Sequence, residues 1–274
     1  MKPAFLPSPR PFQPVFQHLP ETNLPYGLNP EQVQQYFQRG FVVLRQVLTD
    51  EDIADLRAEA ARLVETADIS QPNLRIKNPG SSEQEWVWKV DPCCDVSPLI
   101  SNLCRDRRLT DKLRSLYGGY APRLFKDKLI IKPPHSHGNG LHQDYNWWQG
   151  FPQSLLSVSI PLDSTNRENG CTEMWTGWQR GFLHQAGTLD GQIDRELLKQ
   201  EEHVYVEMEP GDMAIFHSLT PHAASPNETE SPRRVLFLSF NDCRDGEHRT
   251  SHYEHYFGYL GRRLSDDERP NYFW

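Results

Sequence analysis

The sequence predicts a mainly β fold with flanking helices. From residue 120 onward, segments rich in β-branched and aromatic residues alternate with turn clusters such as NRENG, EPGD and SPNETESP. Several short strands separated by such turn signals are typical of a sandwich or a barrel. Helical periodicity is concentrated before residue 118, and no internal repeat is visible. The predicted strands of the β region are 124–134, 154–162, 171–178, 203–208, 212–217 and 233–240.

The helices are predicted from their boundary residues and from apolar spacing. The first has Asn29 as its N-cap, Pro30 at its first position and Gly40 at its end. The second follows Thr49 and carries acidic residues in its first turn, with apolar residues at helical spacing. FVVLRQV (41–47), between them, has the composition of a strand. The predicted helices are 29–40, 49–67 and 108–117, and a short helical insert ends with LKQEE (198–202).

The domain organisation follows from length and composition. A chain of 274 residues suits a single β-rich domain with a sizeable core. The first residues are rich in proline and aperiodic, which is typical of an arm draped over a fold or a tail. We therefore predict an N-terminal arm (1–28) and one domain (29–274), which comprises a helical flank (29–118), a β-core (120–242) and a C-terminal extension (243–274).

Charge and cysteine usage exclude several classes of partner. A net charge of -8 disfavours nucleic-acid binding, which needs clustered Lys and Arg against phosphates. The N-terminus has no uninterrupted apolar run, so neither a signal peptide nor a membrane span is expected there. Five cysteines without a C-x-x-C pair suggest reduced thiols in the cytoplasm. We expect a small-molecule substrate as partner, and the sequence leaves a homo-oligomer open.

The stretch LHQDYNWWQG (141–150) contains a candidate metal site. His142 and Asp144 are two residues apart, so on a strand they point to the same face. A third ligand can come from FHSLTPHAASPN, where His217 and His222 are both candidates. Two histidines and one carboxylate on one face are typical of non-haem Fe(II) oxygenases, but zinc also accepts this set. The ligands alone therefore indicate a metal site and leave the reaction open.

A positive residue after the distal histidine narrows the chemistry. The strand RRVLFLSF begins with Arg233 and Arg234, and a guanidinium binds a carboxylate through two parallel hydrogen bonds. A dicarboxylate that chelates iron at its keto-acid end needs such a clamp at its far end. Only one of the two arginines can point inward, and periodicity alone does not say which. Lys128 or Lys89 can add a second cation.

These motifs together resemble the iron and 2-oxoglutarate motif of the phytanoyl-CoA dioxygenase family. The resemblance implies a double-stranded β-helix (jelly roll, cupin-like) core that holds Fe(II). It also implies that 2-oxoglutarate and O2 are consumed while a small organic molecule is hydroxylated or otherwise oxidised, with release of succinate and CO2. The stretches that carry it are HQD (142–144), His222, Arg233, KLIIKPP (128–134), ENGC (168–171), EPGDMAIFH (209–217) and GFVVLRQVLTDEDIADLR (40–57).

The resemblance assigns roles residue by residue. It implies that the metal ligands are His142, Asp144 and His222. It implies that Arg233, by its spacing from the distal histidine, binds the far carboxylate of 2-oxoglutarate. Relatives that halogenate lack the ligand carboxylate, so the presence of Asp144 implies hydroxylation or a related oxidation. Two further 2-oxoglutarate-pocket positions are matched by Lys128 and Ser159, the latter where relatives can carry an aromatic residue.

Other candidate residues are weighed against structural roles. Tyr145 and Trp147 follow the ligands directly and are candidates for the substrate pocket, because small-molecule pockets favour aromatic walls. Lys89 and His137 are further pocket candidates, although His137 lies in a Gly/Pro loop where a solvated position is the alternative. SHYEH (251–255) has the wrong spacing for a zinc-protease motif and is not expected to be helical.

Two other function classes fit part of the pattern. One is a cupin-like metal enzyme, such as an isomerase or a zinc hydrolase, that does not use 2-oxoglutarate. The other is a metal-dependent small-molecule binding protein that binds without turnover. Neither of these two classes needs an arginine that binds the far carboxylate of a dicarboxylate. Substrates that fit the acidic, aromatic-rich sequence include natural-product intermediates, acyl thioesters, amino acids and phosphonates.

Overall fold

The structure, a computed structural model, describes residues 5–6, 23–66, 74–77, 86–183, 192–198 and 203–263. The α-helices are α1 (Pro30–Arg39), α2 (Asp50–Glu65), α3 (Pro98–Leu103), α4 (Arg107–Leu116) and α5 (Arg249–Arg263). The strands are β1 (Phe5–Leu6), β2 (Phe41–Leu44), β3 (Leu74–Lys77), β4 (Trp86–Val90), β5 (Pro122–Lys132), β6 (Asn139–His142), β7 (Leu156–Pro161), β8 (Thr172–Trp175), β9 (Phe182–Leu183), β10 (His203–Val206), β11 (Met213–His217), β12 (His222–Ala224) and β13 (Arg233–Asp242).

Two antiparallel sheets form the core. The larger has the strand order β2-β11-β7-β13-β5-β4-β3, and the smaller has the order β10-β8-β12-β6. From β5 to β13 the chain passes repeatedly from one sheet to the other, which is the connectivity of a jelly roll. Apolar side chains of both sheets meet in one cluster that includes Phe41, Phe216, Met174 and Val206. The predicted double-stranded β-helix core is confirmed.

The helical flank covers the outer face of the larger sheet. Alternation along β5 sends Leu129 and Ile131 outward, where they join a large apolar core with residues of α1 to α4 such as Ile53 and Leu109. The inner face of the same strand carries Lys128 and its i±2 neighbours. The larger sheet thus has an apolar outer face covered by helices and a polar inner face that looks toward the smaller sheet.

The helix boundaries follow the predicted caps. Asn29 and Thr49 each accept a backbone hydrogen bond in a capping box at the start of α1 and α2. Such caps contribute about 1 kcal/mol each. Gly40 ends α1 with a φ of 87°, a conformation that favours glycine. The strand predicted at 41–47 is shorter, because Gln46 adopts a positive φ of 49°.

Several elements differ from the sequence expectation. The expectation that SHYEH is not helical is wrong, because α5 spans this stretch. The predicted helical flank also contains β3, β4 and α3, of which β3 and β4 extend the larger sheet. Most of the predicted arm 1–28 and most of LKQEE lie outside the described residues, although β1 pairs with β9. None of the described helices is both long and apolar enough to cross a bilayer.

Candidate metal centre and cofactor pocket

The three predicted metal ligands lie close together at strands β6 and β12 of the smaller sheet. His142 ends β6 and His222 begins β12, and the two residues are direct partners in the antiparallel pair. Asp144 opens the 3-10 turn Asp144–Trp147 that follows β6. One ligand atom from each residue lies within 4.8 Å of the other two. Asp144 Oδ1 is 4.0 Å from Nε2 of His142 and 3.8 Å from Nε2 of His222.

Hydrogen bonds hold both imidazoles in the tautomer that a metal requires. Nδ1 of His142 lies 2.7 Å from the carbonyl oxygen of Gly140, and Nδ1 of His222 lies 3.0 Å from that of Thr220. A carbonyl oxygen only accepts, so each Nδ1 carries the hydrogen and each Nε2 keeps its lone pair. Burial, together with the neighbouring His222 ring, lowers the pKa of His142 to about 3, which keeps it neutral. Both rings therefore present a donor atom toward Asp144.

The carboxylate is oriented by a serine that sequence reasoning missed. Ser157 on β7 donates a hydrogen bond of 3.1 Å from its Oγ to Asp144 Oδ2. Its Oγ also lies 2.9 Å from Oγ of Ser239 on β13. Burial opposes ionisation of Asp144, but the nearby Lys128 ammonium and the Ser157 hydrogen bond favour the charged form, and the pKa of this carboxyl is lowered. The sequence did contain a signal for this residue: Ser157 lies two residues before Ser159 in an otherwise apolar strand, so both serines share one face.

The donor set fits a divalent metal ion. Two neutral imidazole nitrogens and one carboxylate oxygen on one side leave coordination positions open, as in non-haem Fe(II) sites, and zinc accepts the same ligands. His217 is not in this group: it ends β11, and its Nδ1 accepts a hydrogen bond of 3.0 Å from the Leu219 amide.

The two arginines that the sequence left as alternatives lie in different environments. Arg234 pairs with Asp163 through Nε and Nη2, at 2.8 and 2.7 Å. Arg233 shares the inner face of β13 with Ser239 and is 5% exposed. Its Nε has no hydrogen-bond partner among the described residues. Burial lowers the pKa of Arg233 only to about 10, so it is a buried cation at neutral pH.

A buried guanidinium with an unsatisfied donor fits a carboxylate ligand. Leaving a charged donor unpaired in the interior is costly, and a carboxylate relieves that cost through two hydrogen bonds. Lys132 is the cross-strand partner of Arg233, and burial together with that arginine lowers its pKa to about 7. Its Nζ donates to the carbonyl oxygen of Ser225. Among the described residues, Arg233 is thus a buried inner-face cation whose Nε is available to a carboxylate, whereas the Lys132 ammonium already has a carbonyl partner.

The remaining predicted pocket residues lie on the inner face of the larger sheet or at the surface beside His142. Lys128 is half-buried, 5.3 Å above the Phe237 ring, and Ser159 is a buried cross-strand neighbour of Phe237. Burial lowers the pKa of Lys128 to about 8, although Asp144 acts in the opposite direction. Trp147 is 36% exposed and its ring lies 5.0 Å from that of His142.

Three other candidates lie away from the ligands. Tyr145 packs into a separate aromatic cluster with Phe125 and donates its hydroxyl hydrogen to the Phe151 carbonyl. His137 is exposed in the loop after β5. Lys89 is buried on β4, where its Nζ is 3.0 Å from Asp91 Oδ2. Of these three residues, Lys89 is the one that shares the inner face of the larger sheet.

The jelly roll and its two-histidine, one-carboxylate group are typical of metal-dependent cupin-fold enzymes, a class that includes oxygenases. The model of the phytanoyl-CoA dioxygenase (PhyH) family matches residues 36–235. The chain belongs to this family. The predicted family and the predicted reaction class, Fe(II)- and 2-oxoglutarate-dependent dioxygenation, are thereby confirmed, while the substrate is not defined by membership.

Individual relatives show how far the similarity extends. Methylphosphonate hydroxylase from Gimesia maris is 37% identical over 155 residues, 56% of this chain and 58% of that protein. 2-Aminoethylphosphonate dioxygenase from an uncultured bacterium (HF130_AEPn_1) is 26% identical over 227 residues, 82% and 86% of the two chains. The structure of EctD from S. alaskensis with 2-oxoglutarate and 5-hydroxyectoine has a TM-score of 0.73 at 22% identity, over 88% of this chain and 84% of EctD. That likeness supports the fold.

Proposed function

We propose that this chain hydroxylates a small organic molecule with Fe(II) bound by His142, Asp144 and His222. We further propose that Arg233 binds the far carboxylate of 2-oxoglutarate. The observation that carries the proposal is the pairing of two features: a group of two histidines and one carboxylate that can hold a metal ion, and a buried arginine on the inner face of the larger sheet that has no ion-pair partner among the described residues. A zinc hydrolase or a binding protein needs the first feature and has no use for the second.

The protein groups position the reactants and hold their charge. The carbonyl groups of Gly140 and Thr220 fix the two imidazoles, and Ser157 fixes Asp144. Outer hydrogen bonds of this kind orient metal ligands and typically change metal affinity by about 10- to 100-fold. Lys128 and Ser159 are proposed to border 2-oxoglutarate on the side of the ligands, since they flank Phe237 on the inner face.

When bound at this site, iron would activate O2, which is the oxidant, and 2-oxoglutarate would supply two of the four electrons that O2 accepts. One atom of O2 enters a C–H bond of the substrate, the other enters succinate, and CO2 leaves. Asp144 occupies the ligand position that halogenating relatives leave to chloride, so hydroxylation is the proposed outcome. Trp147, beside His142 and partly exposed, is proposed to border the substrate.

Two finer statements are also proposals. The names of the phosphonate-oxidising relatives support a small phosphonate among the substrate classes that the sequence allows. All five cysteines are free thiols, which supports a reducing compartment such as the cytoplasm.

The proposed function is tested by succinate formation. The protein is loaded anaerobically with Fe(II), given 2-oxoglutarate and air, and succinate is measured by mass spectrometry with and without candidate phosphonates. We expect succinate to depend on both Fe(II) and 2-oxoglutarate. Asp144→Ala should abolish it, and Asp55→Ala, on the exposed face of α2, should leave it unchanged. Equal succinate from the wild type and Asp144→Ala would contradict the assigned ligand set.

A further inference from the structure

The inner face of the larger sheet carries a lysine cluster that the proposed reaction does not use fully. Lys126 and Lys128 are two residues apart on β5, and Lys89 lies on the neighbouring strand, opposite Ile130. Lys126 is the cross-strand partner of Ser239. Ser239 contacts Ser157, which in turn holds Asp144. One pair of serines therefore separates the cluster from the proposed metal ligand.

This cluster carries excess positive charge. Asp91 Oδ2 is shared between Lys89 Nζ at 3.0 Å and Lys126 Nζ at 3.4 Å. Lys128 has no carboxylate within ion-pair distance in the part of the chain that the structure describes. The next carboxylate that acts on it is Asp144, which is proposed to bind the metal. Burying ammonium groups without counter-charges is costly, so the lysine cluster favours an anionic ligand.

Helix α5 packs against the lysine cluster. The Tyr256 hydroxyl accepts a hydrogen bond of 2.9 Å from Lys89 Nζ, and Lys126 Nζ lies 4.5 Å from the centre of the Tyr256 ring. His252 stacks on Tyr256 at an interplanar angle of 13°. His252 is 3% exposed, and neither of its ring nitrogens has a hydrogen-bond partner within the described ranges. A buried imidazole without hydrogen-bond partners beside a cationic cluster is a second indication that these polar groups bind a ligand.

We propose that Lys126, Lys128 and Tyr256 form a subsite for the anionic head group of the substrate, and that this head group is a phosphonate dianion. The assignment rests on the proposed function, whose substrate class it specifies. A tetrahedral dianion offers three oxygens to several donors at once, whereas a carboxylate offers two oxygens and one charge. The carbon attached to phosphorus then lies between the lysines and the metal ligands, where its C–H bond is the one oxidised.

Anaerobic calorimetry tests the subsite without any turnover. The Fe(II)-loaded protein saturated with 2-oxoglutarate is titrated with methylphosphonate and with methanesulfonate, at a pH slightly above neutral but below the pKa of about 8 of Lys128, so that the phosphonate is largely a dianion and the lysine keeps its charge. The two probes have the same shape and differ in charge. We expect methylphosphonate to bind roughly tenfold more tightly or better, because charge-assisted hydrogen bonds are strong in a buried site. Equal affinity for the two anions would overturn the proposal.

Substitutions test whether residues of the lysine cluster contribute to methylphosphonate binding. Lys126→Gln should weaken methylphosphonate binding by about ten- to a hundredfold, which is the loss of one charge-assisted contact. Lys112→Gln is the matched control, because that lysine lies on α4 and binds the Tyr26 carbonyl. Tyr256→Phe keeps the ring and removes only the hydroxyl, so we expect a smaller loss of methylphosphonate affinity. This variant still tests the subsite if Lys126→Gln does not fold. Unchanged methylphosphonate affinity in Tyr256→Phe and in any folded Lys126→Gln protein would refute the subsite.

The same samples separate this proposal from the proposed function. Before each titration, the visible absorption of the Fe(II)–2-oxoglutarate complex is recorded. If that absorption fails to form in metal-loaded protein, the proposed function is wrong. If it forms and methylphosphonate binds no better than methanesulfonate, the subsite alone is wrong.

Discussion

Arg233→Met tests the assignment of the 2-oxoglutarate carboxylate to a single side chain. Arg233 is buried, its Nε has no hydrogen-bond partner, and no carboxylate lies within ion-pair distance of it among the described residues, so the variant loses no ion pair of the free protein. Methionine fills a similar volume without charge. The change should therefore remove a ligand contact and leave the fold intact, an outcome seldom expected for a buried arginine.

The magnitude follows from the contacts that Arg233 gains with the ligand. A bidentate guanidinium–carboxylate pair makes two charge-assisted hydrogen bonds, each worth about 1.5–3 kcal/mol. Part of this is offset by desolvation, so a loss of about 3–4 kcal/mol, or roughly a hundred- to thousandfold rise in the Kd for 2-oxoglutarate, is expected. Burial lowers the pKa of Arg233, which means that the charged form destabilises the free folded protein. The free energy of unfolding should therefore be unchanged or higher in the variant, by about 1 kcal/mol.

Arg234→Met provides the matched control with the opposite signature. Arg234 binds Asp163 on the outer face, and both side chains are about a quarter exposed. Its loss should lower the free energy of unfolding by about 1 kcal/mol and leave 2-oxoglutarate binding unchanged. Denaturant unfolding and anaerobic calorimetry with 2-oxoglutarate measure both quantities. If Arg234→Met weakens 2-oxoglutarate binding and Arg233→Met does not, the assignment of the clamp is refuted.

Three further changes probe the surroundings of the site. Ser157→Ala should lower Fe(II) affinity by about 10- to 100-fold, measured by equilibrium metal analysis, because Asp144 loses the hydrogen bond that orients it; unchanged affinity would show that Ser157 has no positioning role. Trp147→Ala should leave the thermal midpoint nearly unchanged and raise KM for the substrate, since the ring is exposed beside His142; a lower midpoint with normal KM would indicate a packing role. Gly40→Ala should destabilise the fold by about 1–3 kcal/mol in denaturant unfolding, because φ is 87° and an added Cβ would lie 2.6 Å from a side-chain oxygen; wild-type stability would contradict this geometry.

Local signals made much of the fold predictable. Asn29 and Thr49 mark helix starts because capping chemistry depends only on neighbouring residues. Strands such as β5 and β13 are long and apolar on one face, so their periodicity is clear. Helix α5 was missed because its stability comes from contacts distant in sequence, such as the Tyr253 hydroxyl on Asp91 and Asp127. Short strands such as β6 and β12 were missed because three or four residues carry little periodicity.

The candidate site was predictable where residue type and spacing carry the chemistry. His142, Asp144 and His222 have a spacing that the family pattern specifies, and the structure brings them together. The choice between Arg233 and Arg234 depends on which one meets Asp163, a partner that periodicity cannot identify. Ser157 escaped notice because a serine in a buried strand acquires a role only from what faces it across the fold.

Anaerobic addition of 2-oxoglutarate to the Fe(II)-loaded protein tests the central claim most directly. If His142, Asp144 and His222 hold iron while Arg233 binds the far carboxylate, a weak visible absorption band of the iron–2-oxoglutarate chelate will appear and saturate with 2-oxoglutarate. Zinc-loaded protein gives no such band and serves as the control. A folded protein that contains stoichiometric Fe(II) and shows no band at saturating 2-oxoglutarate would contradict the account.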